Sequence, residues 1–237
     1  MLIKCNECGN EMSSKASSCP HCGCSSEWTL ENLFLPRTLT FIEDSAFRNC
    51  TSLKNVILPD TITDIGFNAF RGCTNLESIA IAHSVNRIGA AAFMECTNLK
   101  RIGIPPSVTR IDQGAFSQCT SLETIFISDS VEYIGSCAFM GCSNLEAIVI
   151  PDSVTYLGDY AFRGCVNLKY VQLSSSISSI KAHTFNGCSL DRLVIPQSVK
   201  EVDRQAFDGM DILGEFLIPK HLENSVNFLF RSHIKTY

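Results

Sequence analysis

The strongest chemical spacing in the chain lies at its start. Cys5-x-x-Cys8-Gly9 and Cys19-x-x-Cys22-Gly23 form two matched knuckles. A gap of two residues lets both sulfurs of a pair face one point, and the glycine after it can take the positive φ of a tight turn. Four thiolates so arranged suit a tetrahedral Zn²⁺ with Zn–S of about 2.3 Å. Residues 1–24 are too few to bury a core, so the metal would supply the folding energy. Two disulfides or an unstructured cysteine-rich tail are the alternatives. Cys24 and His21 stand within reach of the set, but both break the symmetry between the knuckles and are assigned as bystanders.

Beyond these four, the cysteines fall on a grid. Cys50, Cys73, Cys96, Cys119, Cys142, Cys165 and Cys188 recur every 23 residues, each preceded three residues earlier by a phenylalanine, from Phe47 to Phe185. AFRGC appears twice, at 69–73 and 161–165, because 92 is four of these steps. Leucines follow at Leu53 through Leu168, then Val or Ile at Val56 through Val171. A fixed period of this length marks a solenoid, in which each unit buries its apolar side only by stacking on its neighbours. The first coil starts near Trp28 without the cysteine. The unit after Cys188 is one residue short, so Phe207 comes early and Met210 takes the cysteine slot. Residues 220–237 leave the pattern, and Phe228-Leu229-Phe230 could lie over the open end as a cap.

Within one unit, Leu99-Lys100-Arg101-Ile102-Gly103-Ile104 alternates as a strand with one buried face. Proline often follows directly, as at Pro105 and Pro151, and ends the pairing because it has no N–H. The second half, ending in Gly66, Gly89, Gly135 or Gly158, reads as another extended piece turned by glycine. The Ala-Phe-x-x-Cys corner, with apolar residues three apart, suits one helical or 3₁₀ turn. The residue after each repeat leucine runs Lys54, Glu77, Lys100, Glu123, Glu146, Lys169, Asp191. Parallel stacking in register makes all neighbours in this column opposite in charge except Glu123 and Glu146. That pair could hold a cation, although two solvated glutamates are the simpler reading.

The unit L-x-x-I-x-I-P-x-S-V-T-x-I-G-x-x-A-F-x-x-C resembles the BspA-like leucine-rich repeat over residues 28–219, about eight coils plus a final strand. The resemblance implies an α/β repeat solenoid: a right-handed leucine-rich-repeat superhelix with a parallel β-sheet along one side and short helical or 3₁₀ turns. It also implies an interaction role, since members of this family are often cell-surface or adhesive proteins. Residues 1–24 resemble a short zinc ribbon, and residues 220–237 are expected as a C-terminal cap.

Composition narrows the classes. The 237 residues carry a net charge of −5, which argues against nucleic acid, whose binding needs a basic surface. No run reaches the roughly 18 apolar residues of a membrane span. The start Met-Leu-Ile-Lys-Cys has no signal-peptide core. With a thiolate–zinc site, this points to a reducing cytoplasm. The grid cysteines could reach disulfide distance between coils, but they are odd in number and all point one way. They are read as small buried hydrophobes. Cys137, at a variable corner position, is expected as an exposed free thiol.

No G-x-S-x-G, P-loop, G-x-G-x-x-G or H-E-x-x-H occurs, and the histidines are scattered, so an enzyme is not expected. A protein-interaction scaffold is. The outward strand positions vary from coil to coil, and Phe126 and Val149, flanked by Tyr170, Arg101 and Arg192, have the composition of a protein hot spot. Ile57 stands in the same outward column as Phe126. The same residue types also simply favour strands. A surface adhesin and a nucleic-acid adaptor acting through the ribbon are the alternative functions.

Overall fold

The computed structural model describes residues 2–4, 11–13, 31–226 and 234–236. Cys5, Cys8, Cys19 and Cys22, with His21, Cys24 and Trp28, lie outside the described residues, as do Phe228, Leu229 and Phe230. Leu2–Lys4 pairs antiparallel with Glu11–Ser13.

From Asn32 onward the chain makes eight coils and a final strand, Asp211–Ile218. Each coil contributes two strands. The first, such as Arg101–Ile104 in coil 4 or Thr124–Ile127 in coil 5, alternates exposed and buried residues. The second is a two-residue piece, such as Arg110–Ile111. First strands lie parallel along one side in three hydrogen-bonded groups, coils 1–3, coils 4 and 5, and coils 6–8 with the final strand, and second strands lie along another. Through coil 7 paired residues are 23 apart, as in Phe126 opposite Gly103 and Ile134 opposite Ile111. The expected in-register parallel stacking is therefore present. The charged column contributes less than its alternation suggests. Among the described residues it closes one ion pair, Lys54 Nζ to Glu31 Oε1 at 2.9 Å, and Glu31 is that column's member in coil 1. Register is held by backbone bonds instead, such as Glu123 N–H to the Lys100 carbonyl at 2.9 Å.

The corners are not helical. Among the described residues the helices are Lys220–Leu222 and Glu223–Val226, past the last coil. The first seven corners each use two left-handed residues, for instance Asn68 (φ 54°) and Gly72 (φ 72°), and the eighth keeps one, Gly209 (φ 61°). A left-handed residue stops a right-handed turn from propagating, so the fold is a β-solenoid where short helical or 3₁₀ turns were expected. The hydrogen bonds show what the corner gains. In coil 2, Ala69, Arg71 and Cys73 donate three residues back within the coil, while Asn68, Phe70 and Gly72 donate to Ala90, Ala92 and Met94 of coil 3. Ala91 and Tyr160 accept a positive φ that costs about 1–2 kcal/mol, and each N–H bonds to the next coil, at 2.8 and 2.9 Å.

The second-strand glycines have a different task from the expected turn. Gly89 and Gly135 are not in the left-handed region; a Cβ on Gly89 would lie 2.6 Å from the Ile65 carbonyl oxygen, and one on Gly135 would lie 2.6 Å from Gln113 N. Glycine there permits close approach of one coil to the next.

The core is a set of columns along the axis. Phe47 through Phe207 form a continuous stack, with centroids 5.2–5.8 Å apart. Phe216 closes it edge-on to Phe207 at 70°. The cysteine column is buried from Cys73 to Cys188, as expected of small hydrophobes. These thiols also donate. Cys73 Sγ reaches the Phe47 carbonyl at 3.1 Å, and each later cysteine repeats this, ending with Cys188 to Phe162 at 3.1 Å. Each of these carbonyls also accepts the N–H three residues on, as Phe47 does from Cys50, so both lone pairs are used. Burial pushes the Cys73, Cys119 and Cys188 thiols up to about 12, which keeps them protonated and able to donate.

The short unit resolves locally. In coil 7 a turn follows Cys165, but Ser189 enters its strand directly after Cys188. A register shift between Leu190 and Arg192 against the final strand then restores the spacing. Leu222 and Val226 are buried at this end, and Ile234–Thr236 pairs with the edge of Asp211–Ile218.

Candidate interaction surface

Strand alternation decides which side chains face outward from the first-strand sheet. Inward positions carry Ile125, Ile148 and Val171; outward positions carry Thr124 and Phe126, Ala147 and Val149, Tyr170 and Gln172. Phe126 is 73 % exposed, Tyr170 57 % and Val149 56 %, a high exposure for a row of large apolar groups. In-register pairing places Ala147 beside Tyr170, Val149 beside Gln172, and Tyr170 beside Arg192. Two shallow grooves run over this strip and share Val149 and Asp152: one reaches Phe126 and Asp129, the other Tyr170 and Arg192. Four of the six residues singled out from the sequence, Phe126, Val149, Tyr170 and Arg192, thus form one surface.

The other two sit differently. Arg101 borders the strip one coil earlier, next to Thr124. Ile57 is three coils from Phe126, and the small Ala80 and Gly103 stand between them in the column. It belongs with Phe34, 72 % exposed and its direct pairing partner, beside a satisfied polar ladder in which Asn55 donates to Asn32 at 2.9 Å and accepts from Ser78 at 2.8 Å. Sequence reasoning passed over Phe34. Its signal was available in the alternation of Leu33, Phe34 and Leu35.

Rigidity comes from below, since every strand under the strip is anchored in the phenylalanine and cysteine columns. Arg192 is also tied: its Nε lies 3.4 Å from Glu215, which accepts from Lys235 Nζ at 2.8 Å. The Lys235 hydrogen bond and charge, with the Arg192 charge behind them, hold the Glu215 carboxyl below its ordinary value. On the strip's rim, Asp152 accepts the Ser175 N–H at 2.7 Å, which likewise holds its carboxyl below the usual range.

The second-strand sheet carries a network that the sequence reading did not find. Asp112, 7 % exposed, accepts Arg87 Nε at 2.7 Å and lies 3.5 Å from Arg110 Nη2. Arg110 lies 4.0 Å over the Tyr133 ring, and Tyr133 stacks on Tyr156 at 4.7 Å. The only hint was again the period, since 87, 110, 133 and 156 are 23 apart. Here each cation already has a partner and Tyr133 is covered on both faces. The first-strand strip leaves its aromatic groups uncovered, which makes it the better candidate for binding. Cys137 is half-buried at its corner, with burial raising its pKa, and so less open than expected.

A family profile described as a BspA type leucine rich repeat region matches the chain in 6 copies, over residues 23–146 and 132–236. No curated protein matches. A leucine-rich repeat protein from Bacteroides ovatus is 24 % identical with a TM-score of 0.70, over 87 % of this chain and 60 % of that one. The chain therefore spans less than two thirds of that protein's length. The T. pallidum leucine-rich repeat protein is 24 % identical with a TM-score of 0.52, over 87 % of this chain and 86 % of that one. The pneumococcal vaccine antigen PcpA is 18 % identical with a TM-score of 0.54, over 88 % and 68 %. These likenesses concern the fold.

Proposed function

Because the chain belongs to the BspA-type leucine-rich repeat family, we propose that it is a non-enzymatic protein-interaction scaffold that binds through its first-strand sheet. The observation that carries this reading is the uncovered row Phe126, Val149 and Tyr170 on a backbone fixed by the stacked core. Phe126 and Tyr170 lie two coils apart, about 10 Å by strand spacing, so one partner element can touch both. Aromatic anchors of this kind dominate interface energetics. Affinity capture with wild-type protein should retain a partner that the double variant Phe126→Ala, Tyr170→Ala binds at least roughly thirtyfold more weakly, at a nearly unchanged melting temperature. Arg48→Glu, at an exposed corner, should keep the partner. Loss of binding in the corner variant with full binding in the sheet variant would assign the function to the other side of the coil.

The zinc reading extends this proposal. Cys5, Cys8, Cys19 and Cys22 hold one Zn²⁺, making the N-terminal segment a structural or second docking module. The matched Cys-x-x-Cys-Gly spacing of the two pairs supports it. Elemental analysis of metal-free-buffer preparations should give about one zinc per chain. Cys8→Ser should release it while leaving the solenoid's melting unchanged. A wild-type protein without bound metal contradicts the assignment.

Among the described residues no helix is long and apolar enough to cross a membrane. A reducing, cytoplasmic setting fits six buried thiols acting as donors, because oxidation would remove those bonds. Recovery of the protein at the cell surface on fractionation would favour the adhesin reading instead.

A further inference from the structure

The charges around the apolar strip are arranged in an unusual way. Glu123 and Glu146 occupy the same position on coils 5 and 6, just before the strands that expose Phe126 and Val149. Asp129 and Asp152 occupy the same position just after those strands, and both line the groove that holds Phe126 and Val149. The first strands of coils 5 and 6 are neighbours, and like charges placed opposite one another destabilise a sheet. All four side chains are exposed, and among the described residues none of them takes part in an ion pair. Outside this zone the column returns to alternation, with Lys100 before it and Lys169 after it. Two like-charged pairs thus lie before and after the strands that expose Phe126 and Val149, on the same two coils. Asp152 also accepts the Ser175 N–H at 2.7 Å, but neither like-charged pairing is offset by an ion pair among the described residues.

Resting on the sheet-face reading, we propose that the partner docks there through a cationic, amphipathic protein segment, an apolar or aromatic side chain flanked by lysine or arginine. The apolar side chain packs on Phe126 and Val149. Its flanking cations meet Glu123 and Glu146 on one rim and Asp129 and Asp152 on the other. Asp129 follows Glu123 by six residue steps, under about 20 Å at roughly 3.3 Å per residue, so one short segment lying along the strands spans both rims. Opposed charge steers its approach, and apolar contact holds it.

The test uses dye-labelled synthetic peptides and fluorescence anisotropy on the full chain at low ionic strength. One peptide carries two lysines on each side of a Leu-Trp-Leu core. The second flanks the same core with glutamates, and the third places the lysines around Gly-Ser-Gly. The first should bind at least roughly tenfold more tightly than either other, and added salt should weaken it. The pairs Glu123→Gln with Glu146→Gln, and Asp129→Asn with Asp152→Asn, should each lower its affinity roughly threefold or more. The glutamine pair should melt no lower than wild type, because a repulsion is removed. Equal or tighter binding of the glutamate peptide, unchanged binding by both neutralised variants, or no measurable binding of the first peptide overturns the cationic assignment. The sheet-face reading is judged separately, by whether Phe126→Ala and Tyr170→Ala weaken capture of the native partner.

Discussion

Above about pH 9 the solenoid is expected to lose stability far faster per pH unit than at neutral pH. Six thiols, Cys73, Cys96, Cys119, Cys142, Cys165 and Cys188, are buried in one column. Burial pushes three of them up to about 12 and raises the other three as well. In the unfolded chain a cysteine titrates near 8.5–9. Below that value both states hold the proton, and the thiols contribute a constant. Between it and the folded value the unfolded chain releases protons that the folded chain keeps, so stability falls as pH rises. One thiol costs about 1.4 kcal/mol per pH unit in that window, and six acting together cost on the order of 8 kcal/mol per unit. Most single domains have only about 5–15 kcal/mol to lose. Urea melts at pH 8, 9 and 10, followed by circular dichroism, should therefore show the midpoint collapsing over the last step. The double variant Cys119→Ala, Cys142→Ala removes two of the six titrating groups. It should be less stable at pH 7 but show an alkaline slope shallower by about one third. Parallel slopes for the two proteins would mean that the thiols are not what makes the fold base-labile.

Replacing Phe116 by alanine should destabilise the solenoid by about 3–5 kcal/mol. Its ring is fully buried, 5.5 Å from Phe93 and 5.8 Å from Phe139, and parallel to both within 3°. The in-register repeat imposes this geometry, and the energy comes from burial and contact more than from ring–ring preference. A mid-array cavity cannot be relieved by fraying, because intact coils hold it from both sides. Phe126→Ala removes the same atoms from a ring that is 73 % exposed and should cost under about 1 kcal/mol. Urea denaturation of the two variants at pH 7 compares them directly. Equal costs would show that the assignment of inward and outward strand positions is wrong.

The 23-residue grid alone determined the number of coils, their parallel register and the inward set from Phe47 to Phe185. The reason is physical: in a stacked coil every inward position meets its own copies above and below, so each must be apolar in every unit and the period is written into the composition. The outward columns were legible by the same counting, and with them Phe126, Val149 and Tyr170. The early Phe207 likewise betrayed a missing residue. Backbone conformation and lateral direction could not be counted this way. Apolar spacing of three at the corner fits a helical turn as well as the observed chain of turns broken by left-handed residues. Hydrogen bonds from alternate N–H groups to the next coil decide between them, and those exist only once coils are stacked. The cysteine column read as hydrophobic because a buried thiol and a methyl group occupy similar positions in a pattern; the Phe47 carbonyl that Cys73 reaches belongs to another coil. Gly89 and Gly135 looked like turn residues until the preceding coil was seen pressed against them. Asp129 and Asp152 follow the strand at a bend, and tertiary structure set the direction of that bend. It brought Asp129 and Asp152, 23 residues apart in sequence, to the groove that holds Phe126 and Val149.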